Sequence, residues 1–406
     1  MKKISGNPYL IRKDANIYLD SIPLDEILNK FKTPLYIFLE NRIRDNVNSL
    51  IKTFSENFNN IEFFYSVKAN YLPEICKIIC SEGIGAKLVG LPELKLALKI
   101  GFSPDKIIVG GLYLPENLIK SSIKNKVKEI IVYNLRDLKI INLIAEKNNW
   151  VQNVCLRLNS RKYNSKLGLK LTDNELKTLE DSIKKYKHIK ITSVLSHFGT
   201  QMNNIDLFER NINSLIMNLD ILSSHNILIN NINIGGGFPE ATVMPQDQLR
   251  RIAEIIKIKL EESTINYQNI YLEPGRYFVG DSGLLLTKIV KTSEDRWIFL
   301  DIGNHICPKF ARCSLRFYNA SQIDEAHKYK TSIAGIVPTD QDILAKDYYF
   351  THNLHENDIV LVTNTGAYCL TFSNRFPYVL PVIVLIRDNT IKTIFDPNYD
   401  KDFSLN

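Results

Sequence analysis

Between about residues 35 and 285, short β-branched runs alternate with stretches of helical periodicity, and this alternation limits the possible folds more than any other feature. The runs are Leu35-Tyr36-Ile37-Phe38, Ile61-Glu62-Phe63-Phe64-Tyr65-Ser66, Ile107-Ile108-Val109, Glu129-Ile130-Ile131-Val132, Val154-Cys155-Leu156-Arg157-Leu158, Ile191-Thr192-Ser193-Val194-Leu195, Ile232-Asn233-Ile234 and Ile270-Tyr271-Leu272. A strand that is followed by a helix returns to its sheet as a parallel neighbour, and eight such units close on themselves. The expected fold is therefore α/β, a (β/α)8 TIM barrel over residues 35–285. From about residue 286 the helices give way to strand-like segments: Leu286-Thr287-Lys288-Ile289-Val290, Trp297-Ile298-Phe299-Leu300, Asp358 to Val362 and Tyr378 to Ile386. These predict a β-rich second domain over 286–406, completed by residues 1–34, where Ile17 to Pro23 reads as a strand leading into a helix. A chain of 406 residues has room for both.

Composition narrows the function classes. With 45% apolar and 23% charged residues the chain has material for ordinary cores. The net charge of +7 comes from lysines interleaved with Asp, Glu and Asn, so no nucleic-acid partner is expected; basic residues near a pocket would instead suit an anionic substrate. Cys76 and Cys80 share a helix face but have no His or Cys at ligand spacing, and no metal site is expected. No apolar run reaches the roughly 18 residues of a membrane span, and no secretory leader is read at the start. The expectation is a protein without a membrane partner, with reduced thiols and a cytoplasmic location.

Chemistry concentrates at predicted strand ends. Lys68 follows a strand and precedes a helix beginning near Pro73, the end of a barrel strand where reactive groups sit in this architecture. A lysine there can carry an aldehyde cofactor as a Schiff base if a phosphate cradle, a ring clamp and a partner for a ring nitrogen accompany it. Gly235-Gly236-Gly237, after a late strand, can bare backbone N–H groups to a phosphate. Within Ser196-His197-Phe198-Gly199-Thr200, His197 can stack on a ring and Thr200 can donate to phosphate. In Glu273-Pro274-Gly275-Arg276, Glu273 can pair with a protonated pyridine nitrogen and so make the ring an electron sink. The cofactor these companions fit is pyridoxal 5′-phosphate (PLP), and the chemistry is stabilisation of a carbanion at the Cα of an amino acid.

Together these elements resemble the fold-type III PLP decarboxylases, the diaminopimelate, ornithine and arginine decarboxylase family, from about Thr33 to Asn374. The family's Tyr-Ala-Val-Lys-Ala-Asn stands here as Tyr65-Ser66-Val67-Lys68-Ala69-Asn70, its Ser-Lys-Phe-Gly-Ile as Ser165-Lys166-Leu167-Gly168-Leu169, and its His-Ile-Gly-Ser-Gln as His197-Phe198-Gly199-Thr200-Gln201. The resemblance implies the barrel-plus-β architecture of alanine racemase and ornithine decarboxylase. It also implies that Lys68 holds PLP, that His197 stacks on its ring, and that Glu273 meets the ring nitrogen with Arg157 behind. Thr200, Gly235, Gly236, Gly237, Gly275 and Arg276 then surround the phosphate, and Tyr368 reaches the cofactor from the β domain. It implies a homodimer with shared sites.

Two departures bear on the substrate. Where the family writes Gly-Pro-x-Cys-Glu-Ser-x-Asp, the chain has Gly335-Ile336-Val337-Pro338-Thr339-Asp340-Gln341-Asp342, so Pro338 replaces the cysteine that protonates the product. That step then has no evident donor in the sequence unless Lys68 itself or a neighbour of Asp340 supplies it. Thr339 or Asp340 takes the place of the acid that receives a distal ammonium. Lys309 stands where an arginine holds the distal end of the substrate, with Arg312 and Arg316 behind it, and Lys87 replaces an aspartate. Fewer acids and more cations favour a carboxylate-bearing substrate, with Arg276, Lys309, Arg312, Thr339 and Asp340 as candidate contacts. The reading is a decarboxylase acting on a conjugated diamino acid such as citryl-ornithine, of the kind used in siderophore biosynthesis. The alternatives are diaminopimelate decarboxylation in lysine synthesis, an amino-acid racemase, and a catalytically silent homologue.

Overall fold

A computed structural model describes residues 2–161 and 165–400. The chain divides into two units, one over 47–239 and 244–275, the other over the described parts of 1–46, 240–243 and 276–404.

The strands in chain order are β1 Lys2–Lys3, β2 Leu10–Lys13, β3 Asn16–Leu19, β4 Ile22–Pro23, β5 Leu35–Leu39, β6 Ile61–Ser66, β7 Gly85–Leu88, β8 Ile107–Gly110, β9 Glu129–Val132, β10 Gln152–Arg157, β11 Ile189–Leu195, β12 Asn231–Asn233 and β13 Asn269–Leu272. They continue as β14 Gly283–Thr292, β15 Trp297–Leu300, β16 Arg316–Asn319, β17 Tyr329–Ala334, β18 Ile343–Phe350, β19 Ile359–Thr363, β20 Val382–Arg387 and β21 Thr390–Phe395.

Strands β6 to β13 close a parallel barrel, β13 pairing back onto β6 through Ile270–Ile61 and Leu272–Phe63. The expected count of eight holds, but one member differs. Leu35-Tyr36-Ile37-Phe38 is not a barrel strand; its place is taken by Gly85-Ala86-Lys87-Leu88, which lacks the β-branched signature of its neighbours. β5 instead lies between β14 and β20 in the other unit. The reason is its two-sided burial. Leu35, Ile37 and Leu39 join Leu284, Leu286, Leu361, Val384 and Ile386 in a core on one face, while Tyr36 and Phe38 stack on the other with centroids 5.1 Å apart. A strand buried on both faces of a mixed sheet and a buried barrel strand read alike in sequence. The domain limits expected at 35–285 accordingly move inward to the 47–239 and 244–275 of the structure.

The β-rich unit carries a nine-stranded mixed sheet, in which β5 runs parallel to β20 and antiparallel to β14, and a four-stranded antiparallel sheet β1 to β4. The helix Leu24–Lys30 follows β4 as the opening segment predicts.

Within the barrel, strand alternation sets an inner layer of Phe64, Ile108, Ile131, Cys155, Leu195 and Tyr271, filled as a packed core. Below it, Glu129 is buried and accepts hydrogen bonds from Thr192 Oγ1 at 2.9 Å and Ser193 Oγ at 2.7 Å. Burial pushes the Glu129 carboxyl up to about 7 against these two bonds.

Candidate active site

Counting two residues beyond the inner layer gives Ser66, Gly110, Tyr133, Arg157, His197 and Glu273, all at the C-terminal ends of their strands. Lys87 joins them by its pairing with Ser66. Sequence reasoning selected Arg157, His197 and Glu273 here and passed over Tyr133, although the same count by twos finds it.

Lys68 lies just beyond β6, in the single turn Val67–Ala69 that precedes the helix Pro73–Ser81. Its side chain is open to solvent at the barrel mouth, yet protein walls most of its surroundings. That enclosure is the first cause that lowers its amine to about 8; the charge of Lys87 adds to it and Glu273 opposes it.

Glu273 is held rather than free. Asn233 Nδ2 donates to Glu273 Oε1 at 2.8 Å, and Asn233 Oδ1 accepts the Gly235 N–H at 2.9 Å, so one amide side chain ties the carboxylate to the glycine turn. Asn233 was missed because an Asn ending a strand has no signature by itself. Arg157 donates to the His197 carbonyl at 3.0 Å and lies over the Tyr133 ring at 5.6 Å. Its Nε is buried with no hydrogen-bond partner among the described residues, a donor left over in the ring.

The glycine turn admits no side chains. A Cβ on Gly235, whose φ is +72°, would lie 2.7 Å from His197 Nδ1 and 2.8 Å from His197 Cβ, and one on Gly236 would strike the Glu273 carbonyl. The Gly236 N–H donates to His197 Nδ1 at 3.3 Å, so in the neutral ring the proton sits on Nε2. Gly275 packs under Ala69 and Ser66. Thr200 lies in the loop after β11 and is exposed.

The other candidates belong to the β-rich unit. Arg276 is buried, donates to Glu240 Oε1 at 3.1 Å and to the Ala311 carbonyl at 2.6 Å, and lies over the Tyr368 ring at 4.8 Å; its Nε has no partner among the described residues. Glu240, in Phe238-Pro239-Glu240, is the buried carboxylate that sequence reasoning missed. Lys309 and Arg312, both exposed, line a cavity of about 320 Å³ with Asn304, Ser314 and Tyr348. Thr339 and Asp340, also exposed, line a cavity of about 680 Å³ beside Trp297, Phe299 and Lys346, and Lys309 Nζ donates to the carbonyl of Gln341, next to Asp340, at 3.2 Å. Among the described residues, no cluster of His, Cys, Asp or Glu could hold a metal, and no helix is long and apolar enough to cross a membrane.

The model of the pyridoxal-dependent decarboxylases, pyridoxal binding domain, matches residues 44–280, well over half of the chain. The chain belongs to that family. This decarboxylase is 26% identical to a diaminopimelate decarboxylase of Aquifex aeolicus, over 97% of this chain and 96% of the relative. It is 24% identical to an L-glutamyl-[BtrI acyl-carrier protein] decarboxylase of Niallia circulans, over 93% and 94%. The solved diaminopimelate decarboxylase of M. jannaschii superposes with a TM-score of 0.87 at 24% identity, over 97% and 96% of the two chains, a likeness of fold. The decarboxylase is thus a PLP-dependent carboxy-lyase on a TIM barrel with a β-rich second domain. The barrel mouth fits the cofactor: an amine of lowered basicity, a fixed carboxylate, an imidazole and a glycine cradle that side chains would fill.

Proposed function

We propose that Lys68 carries PLP and that the substrate is an amino acid whose distal part bears carboxylates. When bound, the cofactor supplies a ring that accepts the electron pair left at Cα as CO₂ departs. In this reading the protein's part falls to the groups at the barrel mouth. Lys68, its amine lowered to about 8, has a far larger free-amine fraction at neutral pH than an ordinary lysine. Glu273, oriented by Asn233, keeps a proton on a ring nitrogen, and His197 offers a flat face beside the Gly235-Gly236-Gly237 turn. Arg157 Nε and the Gly275 backbone complete the barrel side. For Arg276, Thr200 and Tyr368 the proposal is the one the resemblance carries, contact with the same cofactor.

The substrate reading rests on one observation: the 320 Å³ cavity has Lys309 and Arg312 in its lining and no Asp or Glu. A free distal ammonium would meet like charge there, whereas carboxylates would be paired. A conjugate such as citryl-ornithine, of the kind met in carboxylate-siderophore assembly, has that chemistry. The relative named for a carrier-bound glutamyl substrate supports a conjugated substrate in this family. The relatives named diaminopimelate decarboxylase favour a second reading, free diaminopimelate. A cytoplasmic homodimer is part of the proposal; light scattering of the purified protein tests the dimer.

Release of CO₂ over a panel of diaminopimelate, lysine, ornithine, arginine and citryl-ornithine decides between the readings. Turnover confined to the citryl compound supports the conjugate, and turnover of diaminopimelate without response to it rejects it. Borohydride reduction followed by peptide mapping should place the cofactor on Lys68; a label on another lysine would refute that assignment.

A further inference from the structure

Lys87 stands inside the barrel on β7, beside the strand that leads to Lys68, and pairs with Ser66 two residues before it. It is 4% exposed. Its ammonium has three N–H groups, and among the described residues the structure gives it one acceptor, the Gly110 carbonyl at 3.0 Å, and no carboxylate within ion-pair distance. A buried cation with so little compensation is costly, and a chain that keeps one at its reactive lysine places the charge where it acts on that lysine.

The charged and titratable groups around the Lys68 amine come from every side of the mouth. Lys87 is on β7, Tyr133 follows β9, Arg157 ends β10, His197 follows β11 and Glu273 follows β13; Glu93 opens the helix Leu91–Ile100. Glu93 is occupied with the backbone N–H groups of Val89 and Gly90, and Glu273 is engaged by Asn233. Lys87 is thus an uncompensated cation of the ring on the strand next to Lys68.

We propose that Lys87 is a positioning residue that works through its charge, enlarging the share of the Lys68 amine that is free and nucleophilic near neutral pH. The lowering of Lys68 to about 8, with burial first and Lys87 next among its causes, agrees with this. The role gains weight if the substrate is rich in carboxylates, because bound anions would draw a proton back onto Lys68 and a fixed cation opposes them. Its catalytic meaning rests on Lys68 being the cofactor lysine; the electrostatic claim is independent of that reading.

The test is the pH dependence of Lys68 acylation by acetic anhydride in the full-length chain freed of aldehyde with hydroxylamine. Mass spectrometry follows the modified peptide, with exposed Lys124 as the internal reference. Lys87→Gln, which can still donate to Gly110, should raise the Lys68 midpoint by about one pH unit, a nearly tenfold slower acylation below both midpoints. Lys87→Asp should raise it further, and Lys87→Arg should leave it near the wild-type position. Lys87→Met replaces Lys87→Gln if the latter does not fold by circular dichroism. Equal midpoints in wild type, Gln and Asp variants would overturn the proposal, and so would a shift in the Arg variant as large as that in Gln, which would mark a packing effect. Borohydride mapping of the cofactor to a lysine other than Lys68 would overturn the assignment of Lys68 while leaving the midpoints unaffected.

Discussion

Glu129→Gln should make the protein more stable above about pH 5 and less stable below it. Glu129 is buried inside the barrel, with Thr192 and Ser193 donating to it. Its carboxyl is raised from 4.5 to about 7, with burial the first cause. A carboxyl whose folded pKa lies above its unfolded value carries no penalty below 4.5, where both states hold the proton. Between 4.5 and about 7 the unfolded chain ionises while the native state does not, and stability falls as pH rises. Above about 7 both are ionised and the loss is complete. The gap from 4.5 to about 7, at about 1.4 kcal/mol per pH unit, comes to about 3 kcal/mol. Glutamine is neutral at every pH and keeps an acceptor for one hydroxyl, while its amide must rearrange against the other, a cost of about 1 kcal/mol. The variant should then be about 1 kcal/mol weaker at pH 4.5 and about 2 kcal/mol stronger at pH 8. Urea unfolding of both proteins, followed by circular dichroism at half-unit steps from pH 4.5 to 8.5, measures the difference curve. A difference that stays flat across this range would refute the reasoning.

Three further outcomes follow from the site. Gly235→Ala places a Cβ against His197 at a left-handed φ, so it should cost about 1–3 kcal/mol and lower the PLP content measured by absorbance; full occupancy and unchanged melting would contradict the close approach. Glu273→Gln should lower kcat about 100-fold with cofactor retained, because an amide does not hold a proton on the ring nitrogen; a loss confined to KM would reject the role. Lys309→Glu should raise KM for a tricarboxylate substrate at least tenfold more than for lysine, and equal changes would remove Lys309 from the substrate's path.

Much of the fold was legible because it is written in local periodicity. Counting by twos along the strands also places Arg157 and Glu273 on the inner side of the barrel mouth, and the Gly235-Gly236-Gly237 turn declares its own backbone demand. What was not legible depends on which face a neighbour covers. Leu35 to Leu39 and Gly85 to Leu88 exchanged places because the first is buried on both faces in either setting, while the second is short and contains Gly85, Ala86 and Lys87. Asn233 and Glu240 carry no motif; each has a role only once folding brings Glu273 or Arg276 to it.

The sequence by itself determined the alternation that makes the barrel, the lysine at a strand end, and the glycines that a close backbone approach requires, since each depends on residues near one another in the chain. Tertiary structure alone decided how basic Lys68 is and how Glu129 titrates. Those properties are set by burial and by charges on other strands, and no spacing along the chain encodes the distance from Lys87 on β7 to the amine beyond β6.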